Sequence, residues 1–509
     1  MKHRAAALAL LALGCADARL PEGGGECRYR VRFSESQRAE VELHCEGPRL
    51  TGVTVNLPAA TQHTRVWQGA SELSAGSDDT FTLARPGRSI SLRYQVELGA
   101  LAARYDDFDV AKSQGGALIS PAYNWLLTPA PLPAGLPVSV EVQVSEGAEF
   151  ATGLAPAPVG GRQGYELLAQ ELPVASYSAF GRLSRRTLTL PGRGSGGARL
   201  EVVSLPEAPK RAPSASKHHG ARKDRKPDED ETTAVASDTD YIDASPDESR
   251  RAARDAWVDG AARAVASFWE GFPVPRATLF VVPVAARRRA LFGKVLPASG
   301  PGVVLLIGAD SEADDLANDW ILVHELFHLG VPSFSGEGKW LDEGLATYFE
   351  PLIRARSLGF SEHAAWGELA QGFERGTQAL ATTGLERTAD YGAVYWGGAL
   401  VCLLADMEIR RTSQGRLGLE DGLREVLRQG GHAREVWRVR DVARVVDAAT
   451  RSRALSQLAA RYGAGSAPVD LDEILGLLGV RRGAEGITLE PTGEAAWLRR
   501  VITYGSSAR

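Results

Sequence analysis

The sequence lacks any excess of positive charge. Its formal net charge is -5, which gives no reason to expect nucleic acid or an anionic membrane as a partner. It also lacks an apolar run after the first residues that reads as long enough to span a bilayer. Lysine is scarce, at eight of 58 basic residues, which reads as codon bias rather than function. Cysteine is scarcer still: Cys15, Cys27, Cys45 and Cys402 are the whole complement. The remaining composition, 44% hydrophobic and 24% charged, is that of a globular protein, and 509 residues suffice for two to four domains.

The chain opens with a segment of its own. Lys2-His3-Arg4 is a basic start, and Ala5 to Leu13 is an apolar run too short to span a membrane. Residues 1–15 therefore read as a signal peptide ending in Ala12-Leu13-Gly14-Cys15, which resembles a bacterial lipoprotein cleavage box with Ala12 in the usual leucine position. The expectation is a lipid on Cys15 and an anchor at the cell envelope, with a periplasmic or secreted protein otherwise. Export permits disulfides, and Cys27 and Cys45 can then pair across a hairpin while Cys402 stays on a buried helix.

The stretch with chemistry in it is His324-Glu325-Leu326-Phe327-His328. Histidines four apart on a helix lie on one face, so their imidazoles can meet on one zinc ion, with Glu325 placed to take a proton from water. Ala317 to Val323 leads in with helical spacing, and Gly330 and Pro332 end the helix. A third ligand is needed. Trp340-Leu341-Asp342-Glu343-Gly344 offers Glu343 on what reads as the next helix. Alone, each piece has an ordinary structural reading as a core histidine or a helix start. Two histidines, a carboxylate and a free position for water make the ligand set of a Zn2+ peptidase.

These stretches resemble the gluzincin metallopeptidases, in which a second-helix Glu in a Trp-Leu-Asn-Glu-Gly-like motif completes the metal site. Tyr395-Trp396-Gly397-Gly398-Ala399-Leu400-Val401, continuing to Thr412, resembles the glycyl aminopeptidase family most. The resemblance implies His324, His328 and Glu343 as metal ligands, Glu325 as general base and Tyr395 as the oxyanion tyrosine. Gly397 stands where that family has Lys. Tyr391 competes for the tyrosine role, and Glu350, on the face of Glu343, is a candidate to orient a ligand.

The resemblance orders the rest of the chain into an α+β multidomain protein. After a tether at 16–26, residues 27–206 alternate with period two, as in Tyr29–Phe33 and Val138–Val144, and form an antiparallel N-terminal β-domain. Residues 207–244 are basic, then acidic, and nearly free of apolar side chains: a charged linker, in which His218-His219 is incidental. A thermolysin-like zinc domain follows at 245–358, beginning with a helix for which Ser245 and Glu248 form a capping box and Pro246 the first turn. An all-α subdomain occupies 359–484, with helices at 418–430 and 434–448, and 485–509 is a tail with a short strand pair. Too few residues remain for the PDZ domain that the family often carries.

Two departures bear on function. Aminopeptidases of this kind hold the substrate's free amino terminus with the Glu of a Gly-Ala-Met-Glu-Asn motif, and the stretch aligned with it is Leu296 to Gly302, with Ser299 in place of the Glu. A hydroxyl does not replace a carboxylate facing an ammonium. Fourteen residues separate His328 from Glu343, a shorter connection than in those enzymes but sufficient to join packed helices. The reading is a zinc metallopeptidase acting on a peptide or protein substrate, with exo or endo mode open. A zinc-binding, catalytically inactive module that holds a partner is the alternative, and hydrolysis of a non-peptide amide is a third.

Overall fold

The computed structural model describes residues 25–159, 161–194, 196–207, 246–334 and 336–505. The signal peptide, the lipid site, nearly all of the charged linker, His218-His219 and the Ser245 cap lie outside these residues.

The N-terminal domain is built on two sheets. The larger is centred on strands Glu26–Phe33, Ala39–Thr54 and Thr80–Val96, and the smaller has four strands, from Lys112–Gln114 to Tyr177–Gly181. Alternate residues of Glu26–Phe33 are buried, as a sheet with one wet face requires. The buried face carries Phe33, which stacks on Phe180 at 4.2 Å and meets Trp125 edge-on at 5.3 Å. Most pairs are antiparallel, but Glu26–Phe33 runs parallel to Pro137–Val144. Cys27 lies opposite Cys45 in the first pair and is disulfide-bonded to it, and Cys402 is a buried free thiol.

The sequence boundary at residue 206 moves. Strands Ser184–Pro191 and Gly197–Ser204 join a second sheet of five strands, whose order continues through Arg276–Val284 and Gly302–Gly308 to Ala290–Leu296. Gly197–Ser204, Arg276–Val284 and Gly302–Gly308 are mutually parallel, and Ala290–Leu296 closes the edge antiparallel. The apolar alternation of 184–204 suits either sheet, so the sequence does not reveal which one it enters. Helix Pro246–Phe268 packs its buried Val258, Ala262 and Val265 into the core beneath this sheet.

Helices fill the remainder, among them Lys339–Ser357, Glu362–Thr382, Tyr391–Thr412, Leu419–Arg428 and Val439–Thr450. Tyr391–Thr412 is long and apolar enough, by composition, to cross a membrane, contrary to the sequence expectation. It is a core helix here, with Asp406 and Arg410 buried among its neighbours. Up to residue 505 the C-terminal segment is not a loose tail. A strand pair, Val480–Gly483 with Gly486–Leu489, leads to helix Gly493–Tyr504. That helix is tied down by Arg356 Nε donating to Thr503 O at 2.7 Å and by Trp366 Nε1 donating to Thr503 Oγ1 at 2.9 Å.

The disulfide closes a loop with a sequence separation of 18 residues. Loop-closure entropy assigns such a bridge about 3 kcal/mol. Replacing both cysteines by serine is expected to lower the unfolding free energy of the N-terminal domain by that amount, read by urea titration, without changing metal uptake.

Candidate metal centre and cleft

The first half of the site is the short helix Ile321–Phe327, continued by a 3-10 turn, His328–Gly330. Leu322, Val323, Leu326 and Phe327 anchor it in the core. The opposite stripe, at steps of four, carries Trp320, His324 and His328. The lead-in is not one continuous helix. A separate helix, Ala313–Ala317, stops at Asn318, and Asp319 restarts the chain. Asp319 Oδ1 accepts from Ile321 N and Oδ2 from Ala290 N, both at 3.0 Å, so one carboxylate caps the histidine helix and binds the edge strand to it.

The second half is helix Lys339–Ser357, which buries Trp340, Leu341, Leu345 and Phe349 and points Glu343 at the histidines. Glu343 Oε2 lies 3.3 Å from His324 Nε2 and 3.6 Å from His328 Nε2. One donor atom from each of the three residues falls within 4.8 Å of the others. Donors about 2.1 Å from a single ion at tetrahedral angles stand about 3.4 Å apart, so these separations suit zinc, as does the chemistry of two imidazoles and a carboxylate. Burial pulls both histidines down in pKa. His324 stays lowered, whereas Asp342 and Glu343 more than offset burial at His328 and hold it well above the usual range. Burial raises Glu343, but its hydrogen bonds to the two imidazoles outweigh this and keep it well below the usual carboxylate range.

Other groups surround these three. His328 Nδ1 lies 2.8 Å from Asp342 Oδ1, a carboxylate that sets the ring's orientation and leaves Nε2 facing inward. The sequence offers Glu350 as a candidate for that task, with an ion-pair residue as the other reading. Glu350 instead forms a buried ion pair with Arg354, whose Nη1 donates to Asn318 O at 3.0 Å. It braces the two helices and touches no ligand. Asp342 was missed although it adjoins Glu343 in the chain, because one residue along a helix is not an obvious neighbour of a group on another helix.

Glu325 is partly buried, and loss of water pushes its carboxyl up to about 7. Gly293 of the edge strand lies against it: a Cβ there would come within 2.4 Å of Glu325 Cγ. Tyr395 stacks on the His324 ring, centroids 5.9 Å apart and planes within 4°. Its helix comes this close because glycines face each other: a Cβ on Gly344 would meet Gly398 backbone at 2.5 Å, and one on Gly398 would meet Trp340 O at 2.1 Å. Tyr391 does not compete, being 60% exposed with the Lys339 ammonium over its ring at 5.5 Å.

Ser299 is not on the cleft. It is wholly buried in the turn after the edge strand, and its backbone N–H donates to Glu171 at 2.8 Å. The strand beside Glu325 is Ala290–Leu296, so the comparison with an amine-holding motif belongs there instead. That strand contains no carboxylate. Lys294 lies on it, paired at 2.7 Å with Asp109 of the N-terminal domain, which also accepts from Tyr177 Oη at 2.9 Å. Sequence reasoning missed this strand because Arg287-Arg288-Arg289 before it and Gly293 within it read as a polar loop.

No protein-family model matches the chain, and no curated protein matches it. Solved structures match it by fold. An aminopeptidase N family protein from Idiomarina loihiensis aligns with a TM-score of 0.59 at 15% identity, covering 89% of this chain and 78% of that one. A mutant form of the M1 zinc metallopeptidase from Deinococcus radiodurans aligns with a TM-score of 0.50 at 15% identity, covering 88% and 96%. The chain thus has a gluzincin aminopeptidase-like fold: an N-terminal β-domain, a central α+β domain and a C-terminal helical region.

The two carboxylates behind the ligands are separable by substitution. Asp342→Asn is expected to weaken zinc binding 10- to 100-fold, read by competition with a chromophoric chelator. Glu350→Gln is expected to leave that affinity in place and cost about 1–2 kcal/mol of stability, because Arg354 loses one of its two carboxylate partners and keeps Glu368.

Proposed function

We propose that this protein is an exported zinc metallopeptidase that cuts peptide bonds within extended chains. The observation that carries the proposal is the placement of Glu325 and Tyr395 on either side of a three-donor set. His324, His328 and Glu343 would hold the metal. When bound, zinc supplies Lewis acidity, polarising a carbonyl and making water easier to deprotonate.

The chain's own residues do the rest. Glu325 accepts a proton from the attacking water; a carboxyl shifted toward neutrality is suited both to take that proton and to pass it to the leaving amine. The Tyr395 hydroxyl donates to the oxyanion that develops at the attacked carbonyl. The edge strand Ala290–Leu296 offers unpaired backbone groups along which an extended peptide can lie. Cleavage inside a chain is favoured because the strand carries no carboxylate of its own, Asp319 is taken up by Ala290 N and Ile321 N, and Asp109 is already engaged by Lys294 and Tyr177. An incoming terminal ammonium would have to compete with these partners.

Export and a lipid on Cys15 are part of the same proposal. The Cys27–Cys45 disulfide supports an oxidising compartment. Membrane fractionation of Cys15→Ser tests the anchor: the variant is expected in the soluble fraction, and unchanged membrane association counts against lipidation.

A mixed peptide pool digested with and without chelator tests the activity. Internal fragments, absent with chelator, are the expected products. Single amino acids in their place would reverse the mode, and no digestion by zinc-replete protein would leave a binding module. Glu325→Gln is expected to keep zinc and lose hydrolysis. Tyr395→Phe is expected to lower kcat about 100- to 1000-fold with little change in KM.

A further inference from the structure

Large apolar side chains left in water are few among the described residues, and three of them lie on the edge strand and at the start of the histidine helix. Trp320 is 45% exposed, Leu291 42% and Phe292 41%. Phe292 is partnered, its ring 5.0 Å from Phe108 of the N-terminal domain. Trp320 packs instead against the ring of a metal-ligand candidate, and Leu291 precedes Phe292 on the edge strand.

Trp320 begins the stripe that continues with His324 and His328. Its indole meets the His324 imidazole edge-on, centroids 5.3 Å apart and planes at 86°. It therefore extends the face that carries the metal ligands by one helical turn. Leu291 reaches the same end of the cleft from the other side. Its strand is bulged between Ala290 and Phe292, and a bulge re-aims the side chain it carries. The residue before it is tied to Asp319, next to Trp320, and Gly293 two residues on packs against Ile321 and Glu325. Both apolar groups thus stand where the edge strand meets the start of the histidine helix.

We propose that Trp320 and Leu291 form an apolar subsite for a large aromatic or branched aliphatic side chain of the peptide, beside the bond being cut. The proposal rests on the peptidase reading above. What points to the substrate as occupant is continuity: the pair is the outward extension of the ligand stripe and of the strand along which the peptide would lie. A side chain docked there covers apolar surface that the fold leaves wet, at no cost in buried charge.

The test uses zinc-loaded full-length protein and internally quenched peptides that differ only in Phe or Gly at each position flanking the scissile bond. The wild type is expected to prefer Phe at one of these positions by about tenfold or more in kcat/KM. Trp320→Ala and Leu291→Ser are each expected to bring that ratio close to one, chiefly through KM, with zinc content measured alongside. Leu291→Ser touches no ligand, so it keeps the test valid should Trp320→Ala disturb His324. A ratio that stays at the wild-type value in both variants overturns the subsite, as does a wild type with no preference.

Binding is read separately by fluorescence anisotropy of labelled Phe and Gly peptides on zinc-loaded Glu325→Gln. A Phe preference there that Trp320→Ala removes supports the subsite even if the wild type cleaves nothing. In that case the hydrolase reading falls and the subsite stands.

Discussion

The site depends on one carboxylate held between two imidazoles. Glu343 is nearly buried, and so is His324 at 2% exposure. Charges in such a place are tolerated only when each meets its partner, and removing one partner from a buried pair costs about 3–5 kcal/mol. The two helices that carry them are therefore bound into one relative position. A slip of one residue on either would turn Glu343 roughly 100° away and leave buried charge unpaired. Much of the surrounding structure resists that slip.

The resistance comes from three directions. On the edge-strand side, Asp319 links the histidine helix to that strand. Between the helices, Arg354 reaches from the glutamate helix to Asn318 O while paired with Glu350. Behind the glutamate helix, Tyr348 Oη donates to Asp406 at 2.8 Å. Asp406 also accepts from Leu419 N at 2.8 Å, and Arg410 Nη2 lies 2.7 Å from both oxygens of Glu420. This network fixes the tyrosine helix at the distance that lets Tyr395 lie over His324. Its charge is kept in place by the same pairing: Arg410 depresses Glu420 to about 2 against the opposing effect of burial. A buried ion network of this kind is a weak source of net stability, because desolvation offsets most of its Coulombic gain.

How legible this was depended on distance along the chain. The convergence of His324, His328 and Glu343 could be read because a four-residue step on a helix is rigid and the connection to Glu343 is short. The pairing of Cys27 with Cys45 could be read because both sit in short alternating runs. The assignment of 184–204 to the second sheet could not, since its neighbour, Arg276–Val284, lies beyond a long charged stretch and strand alternation names no partner. Asp342, Asp319 and Arg354 were illegible for a related reason. Each acts through a hydrogen bond to a backbone group or ring on another element, which leaves no periodic mark. The tail was underestimated because helix Gly493–Tyr504 gains its place from Arg356 and Trp366 far upstream, contacts that its own sequence does not announce.

The edge strand is the most instructive failure, because the same features that hid it suit it to the cleft. A strand buried on both faces reads as a continuous apolar run, as Gly302–Gly308 does. Ala290–Leu296 is partly wet, bulged, and broken by Gly293, so its sequence resembles a loop. Each irregularity answers a need of the site. A residue larger than glycine at 293 would collide with Glu325, and the bulge at Leu291 turns that side chain out of the ladder. The N-terminal domain then supports the outer side of the strand through Phe108 against Phe292 and Asp109 against Lys294. That support leaves one unpaired edge for an incoming chain, and it gives the β-domain a part in shaping the cleft that its own sequence does not announce.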